Sequence, residues 1–190
     1  MIELPNRQVS FRPGVLELKW GQPDFDLLPV AQIRQAAMQA METFGADALS
    51  YGAPQGAGVL LRWLVERIGR TEARAPQLDE LMLTGGISIT LDQICTLCTR
   101  PGDVVLAESP AYHLALSILR DHPVDLMPAP TDDQGLRIDV LAEIIARLRR
   151  EGRPPRLLYT IPTFNNPTGI SLPDERRRAL VDLAANEGLL

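Results

Sequence analysis

Lysine is almost missing from this chain. Of its 19 basic residues 18 are arginine, and Lys19 alone can offer a side-chain amine. Any chemistry that needs a lysine nucleophile therefore has one candidate, close to the N-terminus. Cysteine and histidine are equally scarce, two of each. Cys95 and Cys98 form a C-x-x-C, but a zinc site needs two more ligands at suitable spacing, and His113 and His122 fall on other predicted elements. Redox pairs gain thiolate character at a helix start, whereas the flanks Leu91-Asp92-Gln93-Ile94 and Thr96-Leu97 read as mid-helix. Two small core residues one turn apart are expected instead. Positive charge is not in excess: the net charge of −5 gives no electrostatic footprint for nucleic acid. No apolar run approaches a membrane span. Met1-Ile2-Glu3-Leu4-Pro5 lacks a basic segment followed by an apolar one, so no signal peptide and a cytoplasmic location are expected.

What is present is globular: 190 residues, 45% hydrophobic and 23% charged, enough to bury a sizeable core. Residues 1–28 read as irregular and extended, punctuated by Pro5, Pro13, Gly14, Gly21 and Pro23. Pro29 suits the first turn of a helix with Val30, Ile33, Ala37, Met41 and Phe44 on one face and Gly45 at its close. A loop holds Tyr51, Gly52 and Gly56, and Val59–Ile68 is helical. Beyond it, predicted strands at 78–84, 104–107, 124–127 and 156–161 alternate with helices at 88–99, 112–120, 138–150 and from about 173 to 186. That alternation implies parallel crossovers and an α/β fold, a three-layer α/β/α domain with a mostly parallel sheet. The expected division is an N-terminal arm over 1–28 and a large domain over 29–190. Arg176-Arg177-Arg178 is expected on a solvated helix face. Glu187-Gly188-Leu189-Leu190 reads as a helix stop followed by the first residues of another buried strand, so the domain is expected to be incomplete at its C-terminus.

Three predicted strand ends carry polar or aromatic residues, and in open α/β sheets ligands bind beyond the carboxyl ends of strands. At the first, Thr84-Gly85-Gly86-Ile87-Ser88 joins an apolar run to a helix start. Free N–H groups there attract phosphate, glycines permit close approach, and the Ser88 hydroxyl could cap the helix or touch the anion. The segment lacks both a P-loop ending and G-x-G-x-x-G. At the second, Glu108-Ser109-Pro110-Ala111-Tyr112 brings an aromatic ring to a helix start, as core or as a stacking plate. At the third, Asn165-Asn166-Pro167-Thr168-Gly169 follows an apolar run. Pro167 holds Asn166 out of the helical region, and Gly169 lets the backbone return. The Asn166 carboxamide can donate and accept hydrogen bonds but does not titrate. A planar, phosphorylated ring with a polar substituent would satisfy all three ends, and pyridoxal 5′-phosphate (PLP) is such a ligand.

From about Leu18 to Leu190 the chain resembles the class I/II aminotransferases, fold-type I PLP-dependent enzymes, and within them the branch of 2-aminoadipate-type and MocR-like aminotransferase domains. The resemblance rests on six motifs in family order: Gly21-Gln22-Pro23-Asp24, Leu49-Ser50-Tyr51-Gly52 with Gly56, Thr84-Gly85-Gly86, Pro101-Gly102-Asp103-Val104-Val105, Glu108 to Tyr112, and Asn165 to Gly169. It implies that Asn166 hydrogen-bonds the PLP phenolic oxygen and lies at the substrate. Tyr112 would stack on the pyridine ring, and Gly86, Ile87 and Ser88 would form the phosphate cup. Tyr51 would reach the phosphate of a neighbouring subunit, which implies a homodimer with shared sites. Gly21 would lie beside the substrate carboxylate. The implied activity is transfer of an amino group between an amino acid and a 2-oxo acid.

Two departures matter. The family usually has small or polar residues where Ile87 stands; its backbone N–H remains available. The family's aspartate for the pyridine nitrogen, its Schiff-base lysine and its arginine for the substrate carboxylate would all lie beyond Leu190. Lys19 precedes the motif positions and cannot substitute, so the chain alone is expected to be inactive, with no catalytic residue of its own. Two other readings compete. One is a lyase or a MocR-type effector domain of the same fold. The other is a non-enzymatic phosphate- or nucleotide-binding α/β module, for which Glu108 would be the acidic partner about 20 residues after the glycine turn.

Overall fold

The computed structural model describes residues 12–16, 21 and 23–190, which fall into two units, Met1–Ala53 and Pro54–Leu190. Lys19 and Gln22 lie outside the described residues. In the first unit Asp24 opens a 3-10 turn at Phe25–Leu27 by accepting the Asp26 N–H at 3.0 Å. Helix α1 (Val30–Phe44) follows, with Pro29 at its N-cap and Gly45 at its C-cap. Gly45 has φ +54, closes α1 as expected, and leads into a further 3-10 turn, Gly45–Leu49. No residue of α1 is buried.

The second unit begins with α2 (Gly58–Thr71) and α3 (Ile87–Cys98). There follow β1 (Val104–Ser109), α4 (His113–Arg120), β2 (Asp125–Asp132) and the short β3 (Gly135–Leu136). Helix α5 (Ile138–Arg150), β4 (Pro155–Tyr159) and α6 (Asp174–Glu187) complete it. The sheet order is β3-β2-β1-β4, with β1 parallel to both β2 and β4 and β3 antiparallel to β2. The chain moves outward from β1 to β2, then crosses back over β1 to β4. That reversal makes the carboxyl ends of β1 and β4 a topological switch point.

Alternation along β1 builds two cores. Val104 and Leu106 face Leu141, Ile145 and Leu148 of α5, with Leu189, while Val105 and Ala107 face Cys95 of α3 and Leu119 of α4. A strand buried on both faces reads as a continuous apolar run, which is why Val104-Val105-Leu106-Ala107 is legible. Helices on both faces of a mostly parallel sheet give the expected three-layer α/β architecture. Cys95 is fully buried and Cys98 half-buried, both with free thiols. Burial pushes the Cys95 thiol above its ordinary range.

Two expectations are corrected. Residues 78–84 are not a strand. Leu78–Glu80 wind as a 3-10 turn closed by a capping box, in which the Glu80 carboxylate accepts the Gln77 N–H at 2.8 Å. Leu81–Thr84 run without a ladder partner among the described residues, apart from the Leu83 N–H to the Gln55 carbonyl at 2.8 Å. Apolar composition suits a strand, but pairing makes one. Nor is Arg176-Arg177-Arg178 a solvated face. Arg176 grips both oxygens of Asp132 at 2.7 and 2.8 Å. Arg177 donates to the carbonyls of Leu172 and Pro162 and to the Thr163 hydroxyl. Only Arg178 of the three is exposed.

At the other end of α6, Gly188 is a left-handed C-cap and Leu189 is buried. Leu190 then lies along β4, its N–H to the Arg156 carbonyl at 3.1 Å and its carbonyl from the Leu158 N–H at 2.8 Å. Leu180, Leu183 and Ala184 pack partly on the core, while Val181 stays exposed.

Candidate active site at the switch point

Two of the three motif-bearing segments leave the neighbouring parallel strands β1 and β4, and the third opens α3. Ala107 of β1 pairs in register with Tyr159 of β4, so Ser109–Tyr112 and Thr160–Gly169 leave the sheet side by side. Helix α3 lies across the same region: Ile87 at its start and Tyr159 at the end of β4 line one apolar hollow of about 300 Å³, with Thr90, Leu91, Ile94 and Leu158.

Gly86 is the N-cap of α3, with φ +107 and ψ +166. Side chains rarely adopt that conformation, so glycine is required for its torsion; a Cβ there would meet no atom within 4 Å. Among the described residues no side chain caps α3, Ser88 included, and both Ile87 and Ser88 are exposed. The first N–H groups of an α-helix lack intrahelical partners and carry the positive end of its dipole, so this start is open to an anion. The Thr90 hydroxyl turns inward instead, to the Gly86 carbonyl at 3.0 Å and to Thr84 Oγ1 at 2.6 Å.

Tyr112 is half-buried at the N-cap of α4, its ring edge-on to His113 at 5.3 Å between centroids. Tyr159 stands near it. Burial, and then the charges of Glu108 and Tyr112, hold the Tyr159 phenol above its ordinary range, so it stays a neutral hydroxyl.

Asn166 is exposed, and the turn that carries it is tightly tied on both sides. Asn165, which is buried, receives the Gly169 N–H on its carbonyl at 2.6 Å and gives its own N–H to the Ile170 carbonyl at 2.8 Å. Its side-chain oxygen accepts from the Thr168 N–H at 3.1 Å and the Thr168 hydroxyl at 2.9 Å. Gly169 makes the return with φ +73, and Phe164 just before the turn also has positive φ, +48. The Asn166–Pro167 and Ser109–Pro110 peptide bonds are both cis.

Glu108, at the end of β1, is buried with its carboxylate inside this turn. It accepts from the Ile161 N–H and Asn165 Nδ2, each at 2.6 Å, and from the Thr160 hydroxyl at 2.9 Å. These donors occupy the carboxylate, so Glu108 is not free for a ribose hydroxyl, as the nucleotide-binding reading requires. Three residues named in the sequence without this role therefore tie the turn together: Glu108, Asn165 and Arg177. One signal was available. Arginines in the first turns of α6 oppose the helix dipole, which makes them conspicuous unless something else holds them.

Tyr51 and Gly21 belong to the first unit and are both exposed. Among the described residues no cluster of His, Cys, Asp and Glu could hold a metal, and no helix is long and apolar enough to cross a membrane.

Comparison with known proteins bears on this geometry. The chain is 32% identical over 175 residues to aromatic-amino-acid aminotransferase 1 of Thermococcus litoralis, covering 90% of this chain and 41% of that protein. It is 31% identical over 183 residues to the 2-aminoadipate transaminase of Thermus thermophilus, covering 96% and 43%. The chain thus spans about two-fifths of the length of these curated relatives. Its fold matches a Pyrococcus horikoshii kynurenine aminotransferase, solved in complex with PMP, with a TM-score of 0.78 and 31% identity over 85% of this chain and 40% of that one. The family model "Aminotransferase class I and II" matches residues 13–190, and the chain belongs to that family.

Proposed function

We propose that this chain supplies the PLP-holding part of an aminotransferase that moves an amino group between an amino acid and a 2-oxo acid. One observation carries the reading. An uncapped helix start at Gly86 lies over the end of β4, the strand whose following turn presents Asn166 and whose neighbour leads to Tyr112. The residues fit the cofactor. The N–H groups of Ile87 and Ser88 would take the phosphate, Tyr112 would cover the ring, and Asn166 would donate to the ring oxygen. Bound there, PLP would supply an electron-withdrawing ring and an aldehyde able to accept an amino group. The protein's part is to orient the ring with Tyr112 and the Asn166 carboxamide and to hold the phosphate with backbone N–H groups.

Several finer elements belong to the same proposal. Residues 1–28 act as an arm and 29–190 as part of the large domain. The enzyme is a cytoplasmic homodimer in which Tyr51 and Gly21 complete a shared site. The exposed apolar face of α1, with Val30, Ile33, Met41 and Phe44, supports an association between copies. Substrates related to aromatic amino acids or 2-aminoadipate are suggested by the relatives. Because Lys19 is its sole lysine, the chain by itself turns over no amino acid.

Titration with PLP, followed by cofactor absorbance, tests the reading. Saturable binding is expected, displaced by inorganic phosphate and weakened by Asn166→Ala and by Tyr112→Ala. Absence of saturable binding, or binding unchanged in both variants, would overturn it. Turnover of amino acid by the isolated chain would overturn the statement about Lys19.

A further inference from the structure

We propose that Glu108 is a positioning residue for Asn166, acting through Asn165 and without touching the cofactor. The inference rests on the PLP reading above. Glu108 is only 4% exposed, and its carboxylate bonds three groups of the turn between Thr160 and Asn165. It meets no basic partner among the described residues. A carboxyl group buried so fully needs its oxygens matched by donors, and three are aimed at it. The bond to Asn165 Nδ2 fixes which way that amide faces, leaving its oxygen for the N–H and hydroxyl of Thr168. Asn165 and Thr168 flank Asn166-Pro167, so the dipeptide is pinned on both sides while the Asn166 side chain stays exposed. The pin is long-range: Glu108 and Asn165 are 57 residues apart in sequence, one at the end of β1 and the other in the turn that follows β4. Glu108 therefore ties the tip of β1 to the tip of β4 and sets the separation between Tyr112 and Asn166. A ring held between those two residues needs that separation fixed to a fraction of an ångström.

Glu108→Gln and Glu108→Ala differ usefully. The glutamine keeps one oxygen for Ile161 and Asn165, and its amide can donate to the Thr160 hydroxyl, which is able to accept. The alanine leaves all three donors unmatched.

The experiment compares the affinity of wild type, E108Q, E108A, N166A and the double variant E108A/N166A for two probes. One is PLP; the other is 3-deoxypyridoxal 5′-phosphate, which lacks the ring oxygen assigned to Asn166. E108A and N166A should each weaken PLP by about tenfold, the size of one lost hydrogen bond to a charged group. The double variant should be no weaker than N166A. E108Q should stay within about threefold of wild type, and the deoxy probe should bind all five proteins alike. A merely structural role would lower affinity for both probes equally. If N166A weakens PLP while E108A binds both probes like wild type, or weakens both equally, positioning by Glu108 is wrong and the PLP reading stands. If wild type binds no PLP, the PLP reading fails and this inference fails with it; if wild type binds PLP and N166A changes nothing, this inference fails, and Tyr112→Ala then decides the PLP reading. Should E108A not fold, Thr168→Ala replaces it: the same selective loss for PLP is expected from cutting the other end of the pin, and equal losses for both probes would refute it.

Discussion

Helix α1 and strand β1 are both apolar by sequence, yet they meet opposite fates. Val30 and Ile33 of α1 are 72% and 65% exposed, while Val105 and Leu106 of β1 are fully buried. The difference lies in neighbours. Alternating residues of β1 meet α5 on one face and α3 and α4 on the other, whereas no residue of α1 is buried. Periodicity decides that a segment is a helix or a strand; a second surface decides whether its apolar side contributes stability.

The sharpest test of this contrast is Leu106→Ala. Removing a fully buried leucine between the sheet and α5 should cost about 2–5 kcal/mol in urea unfolding. A cost under about 1 kcal/mol would mean the core around β1 relaxes more readily than its packing implies.

Gly86→Ala should come next, at about 1–2 kcal/mol, because φ +107 is strained for alanine even though space is available. The same variant should bind phosphate more weakly. Unchanged stability would show that the turn can swing to another conformation.

A smaller effect is expected at the edge of the sheet. Arg176 holds the Asp132 carboxyl down to about 2, well below its ordinary 3.8. A depressed carboxylate contributes stability that is complete above its unfolded value and is lost as pH falls through its folded one. The melting-temperature gap between wild type and Asp132→Asn should therefore be constant near neutrality and shrink from about pH 4 towards pH 2. A gap that widens on acidification would contradict the assignment.

The smallest effect belongs to α1. Ile33→Ala should change the stability of the monomer by less than about 0.5 kcal/mol. A cost equal to that of Leu106→Ala would erase the contrast. A shift in sedimentation towards monomer, without loss of stability, would instead support association between copies through this helix.

Much of the fold was legible because its signals are local. The helix expected at 138–150 is α5, Ile138–Arg150, with Leu141, Ile145 and Leu148 buried on one side. The site's outline was legible too, since Tyr112 and Asn166 follow strands whose apolar runs are plain. What holds the site was not. Asn165 looks like the twin of Asn166 in sequence; one is buried as the pin and the other exposed, and only the distant Glu108 separates their roles. The Arg176 and Arg177 partners are as remote: Asp132 lies 44 residues away and Pro162 lies 15 away. The segment at 81–84 failed for the same reason, since composition cannot supply a pairing strand.

The unequal shielding of the two thiols gives this protein a built-in timer. Cys95 is sealed under α3 with its thiol biased towards protonation, while Cys98, one turn on, is partly open to solvent. An alkylating reagent should therefore label Cys98 promptly and Cys95 only when α3 lifts from the sheet. The lag between the two modifications would clock the opening of the helix that begins at Gly86.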